Sequence, residues 1–250
     1  MEKEHNLISF AATLSIVIPV FNEQEKIRHD LISASNYLSS REMRGEIIVV
    51  NDGSTDKTSE VVLATTVEKG VSLQIIDYKE HTGKGHAVRK GVLKAGADTI
   101  MFIDSGSCVP FDNIEKGLEL LKNKECMIAH GSRFHPESII TRSKKPFRRL
   151  NSYLFRRLIR FHSNIPGDLK DTQCGLKIYK KHVAHELYAE SITDGFMFDI
   201  EIILRAQKKS YSIREFPIEW TSDPDSRLSV RGTIFKMFKE LREIQRVLKT

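Results

Sequence analysis

The sequence predicts an α/β fold: a doubly wound, mostly parallel sheet flanked by helices. Three observations carry that expectation. Short apolar runs recur along the first half of the chain, segments of helical period separate them, and each run ends in small, polar and charged residues. Strands covered on both faces read as continuous apolar runs, as these do.

Taken in order, LSIVIPV (14–20), EIIVV (46–50), VSLQIIDY (71–78), TIMFID (99–104) and CMIAHG (126–131) predict strands. Helical patterns are expected over Gln24–Ser39, Thr55–Glu68, Gly85–Ala95 and Phe111–Asn123. Pro110 precedes the last of these, near a helix start, where a missing N–H is tolerated.

A formal charge of +6 in 250 residues and a pI near 9.1 point to anionic partners. Cys108, Cys126 and Cys174 include no C-x-x-C pair, which suggests neither a disulfide framework nor a structural zinc site and fits a reducing cytosol. No run of 18 apolar residues occurs, and the stretch 7–21 is short and interrupted by Pro19. Membrane contact is therefore expected to be peripheral or through a partner.

Ligands of doubly wound sheets bind beyond the carboxyl ends of the strands. Those ends read PVFNE (19–23), NDGSTD (51–56), HTGKGHA (81–87), DSGS (104–107) and HGSRF (130–134). Each alone has an ordinary structural explanation: Asn-Asp-Gly is a turn sequence, and Ser54 or Thr55 suits a helix cap. At successive strand ends they describe a polar crevice. The GKG loop lacks the preceding glycine and the Ser/Thr of an ATP-type P-loop, and no G-x-G-x-x-G follows the first strand. Those two nucleotide-binding readings fall away.

VIPVFNE, VVNDGSTD, GKGHAV, FID, GSRF and DTQCGLK, in this order and spacing, resemble glycosyltransferase family 2 and within it the polyprenyl-phosphate glycosyltransferases. DTQCGLK is most similar to the dolichyl-phosphate glucosyltransferases. The resemblance covers about residues 13–230. It implies a GT-A fold that binds a nucleoside-diphosphate sugar and inverts the anomeric centre. By the same resemblance Pro19, Glu23 and Asp52, with Gly53 beside it, hold the base and ribose. Lys84 and Asp104 hold the ribose-diphosphate region, and Arg133 a phosphate. Asp104 is the expected metal ligand. Many relatives carry Asp-x-Asp there, whereas this chain has Gly106 at the third position. Mg2+ or Mn2+ is therefore expected to bind weakly and together with the donor diphosphate, since magnesium is commonly held by one or two carboxylates plus substrate phosphates.

Breaking the bond between sugar and diphosphate leaves negative charge on the leaving group, so catalysis needs cations or donors placed there in advance. Lys84, Arg133 and Arg227 are the candidates, and Asp199 matches the family's catalytic-aspartate position. The flanking glycines of Lys84 are expected to let backbone approach phosphate. An ordinary surface lysine is the alternative.

Between Ser138 and Gly167 stand eight Lys/Arg and no acidic residue, interleaved with aromatic and aliphatic residues. From Pro146 the apolar residues recur at spacings of three and four, a basic amphipathic helix suited to an anionic membrane surface. A helix packed on the sheet with a solvated basic edge, or a nucleic-acid surface, are the other readings; the resemblance favours the membrane, because its acceptors are lipid phosphates.

The resemblance also suggests that Lys177 contacts acceptor phosphate, the alternative being the first exposed residue of a strand. HVAHE (182–186) lacks the H-E-x-x-H spacing of a zinc site. A phosphate monoester, with a second pKa of about 6, is largely ionised at neutral pH. Asp199 is thus expected to orient acceptor or metal rather than take a proton, with an N-cap of a helix at 200–209 as its alternative. DPDSRLSV (223–230) resembles the family's S-[KR]-L loop, which brings Ser226 and Arg227 over the diphosphate. Residues 1–230 are read as the GT-A domain and 231–250 as a C-terminal basic amphipathic helix.

These readings converge on an inverting hexosyltransferase, peripheral on the cytoplasmic face of a membrane. It moves a sugar from a UDP-glucose-type or GDP-mannose-type donor to a polyprenyl-phosphate lipid. A membrane protein is a further candidate partner, and nucleic acid is not expected. Two other classes stay open: a soluble transferase with a hydroxyl acceptor, and a non-catalytic module that binds nucleotide sugar.

Overall fold

A computed structural model describes residues 13–142, 157, 159, 165–222 and 230–249. The expected basic helix around 146–161, except Arg157 and Ile159, and the loop carrying Ser226 and Arg227 lie outside the described residues.

The first half alternates strand and helix: β1 (Leu14–Val20), α1 (Ile27–Ser40), β2 (Gly45–Asp52), α2 (Thr58–Leu63), β3 (Val71–Tyr78), α3 (Lys84–Lys94), β4 (Thr99–Ile103), α4 (Ile114–Lys122) and β5 (Ile128–Ser132). There follow β6 (Ile139–Arg142), β7 (Leu176–Lys180), α5 (Lys181–Ala189), α6 (Phe198–Lys208), β8 (Ile213–Pro217), β9 (Glu219–Thr221) and α7 (Val230–Leu248). Seven strands form one sheet in the order β3-β2-β1-β4-β7-β5-β8, and β6 pairs with β9 apart from it. All neighbours in the large sheet run parallel except β7, which is antiparallel to both β4 and β5. The doubly wound, mostly parallel architecture is as the strand-helix alternation predicts.

Side chains of alternate parity leave a strand on opposite faces, and both faces are covered. Ile16, Ile18, Met101 and Ile178 pack under α1 and α4 through Leu31, Tyr37, Ile114 and Leu121. Val17, Val50, Phe102 and Tyr179 pack under α3, α5 and α6 through Val88, Leu187, Phe198 and Ile202. The long α7 lays Leu241, Ile244 and Leu248 on Ile200 and Leu204 of α6.

Several boundaries differ from expectation, for local reasons. β1 and β3 keep their expected bounds, but α1 starts at Ile27 rather than Gln24, and α2 spans only Thr58–Leu63 rather than Thr55–Glu68. The missing turns are spent tying the two loops together. Asn22, at a φ of 56°, accepts hydrogen bonds from the Thr55 and Asp56 amides, and the Glu23 amide donates to Thr58 Oγ1. The helix expected over Phe111–Asn123 begins as a single 3-10 turn, Phe111–Asn113, before α4. β5 is shifted to Ile128–Ser132, and β2 runs on through Asn51 and Asp52. Insertion of β7 between β4 and β5 brings the amino end of one strand to the carboxyl ends of its neighbours, which places the DTQCGLK segment inside the crevice.

Candidate active site

One side of the crevice is built on the end of β2. Asp52 is buried, and its two carboxylate oxygens accept the Thr82 and Gly83 amides at 2.9 Å each. His81 Nδ1 lies 2.9 Å from Asp52 Oδ2, and the His81 ring stacks on Phe21 with centroids 4.1 Å apart. Asp52 therefore pins the loop before α3 across the end of β1. Gly53, at a φ of 71°, has the backbone of 79–81 where a side chain would stand. Pro19 and Glu23, both half-buried, flank this loop from β1 and the turn after it.

The two glycines around Lys84 make room for a neighbouring segment of backbone. A Cβ at Gly83 would lie 2.4 Å from the Asp194 carbonyl oxygen, and one at Gly85 would lie 2.4 Å from that of Thr193. Their missing side chains let the 193–195 backbone pack onto the start of α3, where the His86 amide donates to the Asp194 carbonyl. That packing aims Lys84 across the strand ends.

Phe102, on β4, carries two ammonium groups over its ring: Lys84 Nζ at 5.3 Å and Lys177 Nζ at 5.6 Å from the centroid. Lys84 is the outer cation, 24 % exposed, and its Nζ sits 2.6 Å from Asp104 Oδ1. Burial works against its charge, yet Asp104 and Asp199 outweigh burial and hold the ammonium above its usual range. Lys177 is the inner cation, 0 % exposed, and donates to Asp199 Oδ1 at 2.5 Å and to the Cys174 carbonyl at 2.7 Å. It is the second residue of β7, so the alternative of a first exposed strand residue does not hold. Asp199 lies inside the first turn of α6 and makes no capping hydrogen bond, so the N-cap alternative does not hold either. Burial pushes its carboxyl up, with Lys177 and Lys84 opposing. Glu201, two residues on, points away: it accepts the Ile192 and Thr193 amides and the Arg205 guanidinium.

Arg133, just past β5, donates through Nε and Nη2 to Asp171 at 2.6 and 2.7 Å, a two-pronged pair with Asp171 fully buried. Its guanidinium also lies 5.4 Å from the Trp220 ring centroid.

The loop after β4 answers the question raised by Gly106. Asp30 of α1, 4 % exposed, accepts the Gly106 amide at 2.9 Å and the Ser105 and Ser107 hydroxyls at 2.6 Å each. A second carboxylate is present, but its oxygens are engaged in holding the loop. Asp104 is thus the one carboxylate left for a metal on this loop, and no group of three His, Cys, Asp or Glu side chains suited to a metal occurs among the described residues. Asp104 Oδ1 is buried and lacks a partner of hydrogen-bond geometry, the Lys84 contact being an ion pair only. Asp104 would be the one protein carboxylate to hold a hard divalent cation here, which would need further oxygen ligands from a bound ligand and water.

Sequence reasoning missed Asp30, Asp171 and His81. Asp30 sits unmarked in a helical run, and only the fold brings it to the loop. Asp171 stood within DTQCGLK, where an acidic residue paired with the cation of GSRF is a usable signal.

Residues 15–187 match the family model described as Glycosyl transferase family 2, well over half of the chain. The chain belongs to glycosyltransferase family 2. Among curated relatives, this glycosyltransferase is 32 % identical to a dolichyl-phosphate beta-glucosyltransferase of Trichomonas vaginalis over 240 residues, covering 92 % of this chain and 70 % of the relative. It is 32 % identical to that of Saccharomyces cerevisiae over 246 residues, covering 91 % and 72 %. A solved structure of glucosyl-3-phosphoglycerate synthase from Mycobacterium tuberculosis in complex with UDP superposes with a TM-score of 0.66 at 16 % identity, covering 95 % of this chain and 80 % of the other. That likeness shows a shared fold. This glycosyltransferase is an enzyme of the hexosyltransferase class.

Proposed function

We propose that the enzyme transfers glucose, with inversion, from a nucleoside-diphosphate glucose to a polyprenyl phosphate at a membrane surface. The observation that carries this reading is the pair of stacked ion pairs on Phe102, Lys84–Asp104 outside and Lys177–Asp199 inside, at the strand ends of a chain similar to dolichyl-phosphate beta-glucosyltransferases. An oxygen of the acceptor phosphate attacks the anomeric carbon, the bond from that carbon to the diphosphate breaks, and the nucleoside diphosphate departs with the electron pair.

In this reading Asp52, with the Phe21–His81 stack beside it and Pro19, Glu23 and Gly53 around it, receives the nucleoside. Lys84 meets the diphosphate, and Arg133 and Arg227 add positive charge to the phosphates, with Ser226 beside Arg227. Asp104 would hold Mg2+ or Mn2+, and the metal would supply further neutralisation of the charge on the leaving group. Asp199 orients rather than deprotonates, because the acceptor is already ionised. The basic residues 142–160 bring the enzyme to an anionic cytoplasmic membrane face, and no helix among the described residues is long and apolar enough to cross it.

The test offers the purified enzyme UDP-glucose or GDP-mannose with a polyprenyl phosphate and divalent metal. Lipid-linked glucose formed from UDP-glucose supports the reading. Transfer to a soluble glycan hydroxyl, or no turnover of either donor, overturns it.

A further inference from the structure

Lys177 is the buried cation of the site, and its surroundings decide how it acts. Its side chain is 0 % exposed, set in β7 between Phe102 of β4 and His130 of β5, its two register partners. The two protein acceptors it meets are Asp199 Oδ1 at 2.5 Å and the Cys174 carbonyl at 2.7 Å. Lys84, over the same ring, faces solvent. A ligand phosphate entering the crevice therefore reaches Lys84 first, and meets Lys177 only after the groups that cover it have moved. His130 is also fully buried, and neither ring nitrogen has a partner among the described residues. Burial and the Lys177 charge keep that imidazole neutral.

We infer that Lys177 is a positioning residue, holding the Asp199 carboxylate in one orientation at the sugar-transfer centre, and is not a contact to the acceptor phosphate. The inference rests on the proposed transfer reaction and assigns the division of labour within it. Lys84 and Arg133 face the ligands, while Lys177 acts through Asp199. A neutral His130 adds no second charge beside Lys177. Three charged groups act on that carboxylate, Lys177 from β7, Lys84 from α3 and Asp104 after β4, and His130 from β5 stands behind Lys177. Tyr179 and Tyr188 also feel the Asp199 charge. With Lys177 removed, burial and Asp104 act against only Lys84, so the carboxylate protonates more readily.

The experiment is a double-mutant cycle in the full chain: wild type, Lys177→Met, Asp199→Asn and the two combined. Steady-state kinetics are measured with UDP-glucose and polyprenyl phosphate across pH. Lys177→Met is expected to lower kcat by about 100-fold, the scale of a misplaced reacting group, with the acceptor KM little changed. The acid limb of its kcat profile is expected to move to higher pH. The combined variant removes both buried charges and leaves neither unpaired, so it folds even where Lys177→Met alone does not. Its activity is expected to equal that of Asp199→Asn, because the two residues act as one unit. A tenfold rise in acceptor KM with kcat retained in Lys177→Met would overturn the inference, as would losses that simply multiply in the combined variant. A wild type that does not use polyprenyl phosphate overturns the proposed reaction instead. The same cycle is then read on UDP-glucose hydrolysis, where a combined variant no worse than Asp199→Asn supports the inference and losses that multiply overturn it.

Discussion

Gly175 and Asp104 touch twice. The Asp104 amide donates to the Gly175 carbonyl at 2.8 Å, and a Cβ at Gly175 would lie 2.0 Å from Asp104 Oδ2. The first contact continues the β4–β7 ladder by one step, and the second makes glycine the residue that leaves room for the carboxylate. Gly175→Ala is expected to push the Asp104 side chain aside without unfolding the chain, because the crowded atoms end a short, rotatable side chain. Donor turnover should then demand much higher metal concentrations. Thermal melting checks the fold, and a metal titration of the initial rate checks the displacement; an unchanged metal requirement would refute it.

Restoring the missing aspartate is a test of the loop after β4. Gly106 has a φ of 100°, a conformation a side chain rarely adopts, and its amide is bound by Asp30. Gly106→Asp is therefore expected to cost about 1–3 kcal/mol in stability. It is not expected to create a tight site, since a side chain at that φ is strained and the Asp30 oxygens stay engaged with the loop. Calorimetry with Mg2+ or Mn2+ should show weak binding to wild type and variant alike in the absence of sugar nucleotide, and stronger binding with it. Tight binding by the donor-free wild type would contradict the single-carboxylate arrangement.

The Arg133–Asp171 pair sets an acid limit on stability. Burial alone would raise the Asp171 carboxyl, but the Arg133 charge and its hydrogen bonds outweigh burial and hold it below 3.8. A carboxyl that binds protons less readily folded than unfolded adds stability above its unfolded pKa, and that contribution disappears as pH falls through the folded value. The melting temperature should therefore drop steeply below pH 3.8. In Asp171→Asn that slope should be shallower. At neutral pH the same variant should be destabilised by roughly 3–5 kcal/mol, because Arg133 is left without its anion.

Membrane attachment is expected to follow the charge run of residues 142–160. Changing Arg148, Arg149, Arg156 and Arg157 to Glu should abolish co-sedimentation with anionic vesicles. Hydrolysis of soluble UDP-glucose should persist. Binding that survives all four changes would show that this charge run is not what attaches the enzyme to the lipid surface.

How much of this was legible depended on the distance over which the information acts. The bounds of β1 and β3 followed from apolar runs alone, since a parallel strand buried on both faces writes its burial into its own sequence. The start of α1 did not, because Gln24 to Lys26 have helix-compatible residue types and lose their helix to hydrogen bonds made with residues 56–58, far along the chain. Asp52, Lys84, Asp104 and Asp199 were found by motif. Their partners were harder: Asp30 reaches Gly106 because β4 lies beside β1, and only topology puts β7 beside β4. Lys177 shows the limit most plainly. Its residue type suggests an exposed ligand contact, while its place in the sheet makes it an interior counter-ion.

The reversed strand also orders the assembly of the enzyme in time. β1, β2 and β3 pair with near neighbours in sequence, so this half of the sheet can close as soon as it is synthesised. β4 then waits with one edge unpaired until Leu176–Lys180 emerges, and β5 waits for the same strand. An open β edge is a template for pairing with other chains, and contacts so distant in sequence form slowly. Asp104, Lys177 and Asp199 therefore come together only at the closing step, after the Asp52 end of the crevice is in place. A nascent or truncated chain ending before Leu176 has the Asp52 half of the crevice, no transfer centre, and an exposed edge at β4 from which aggregation would start.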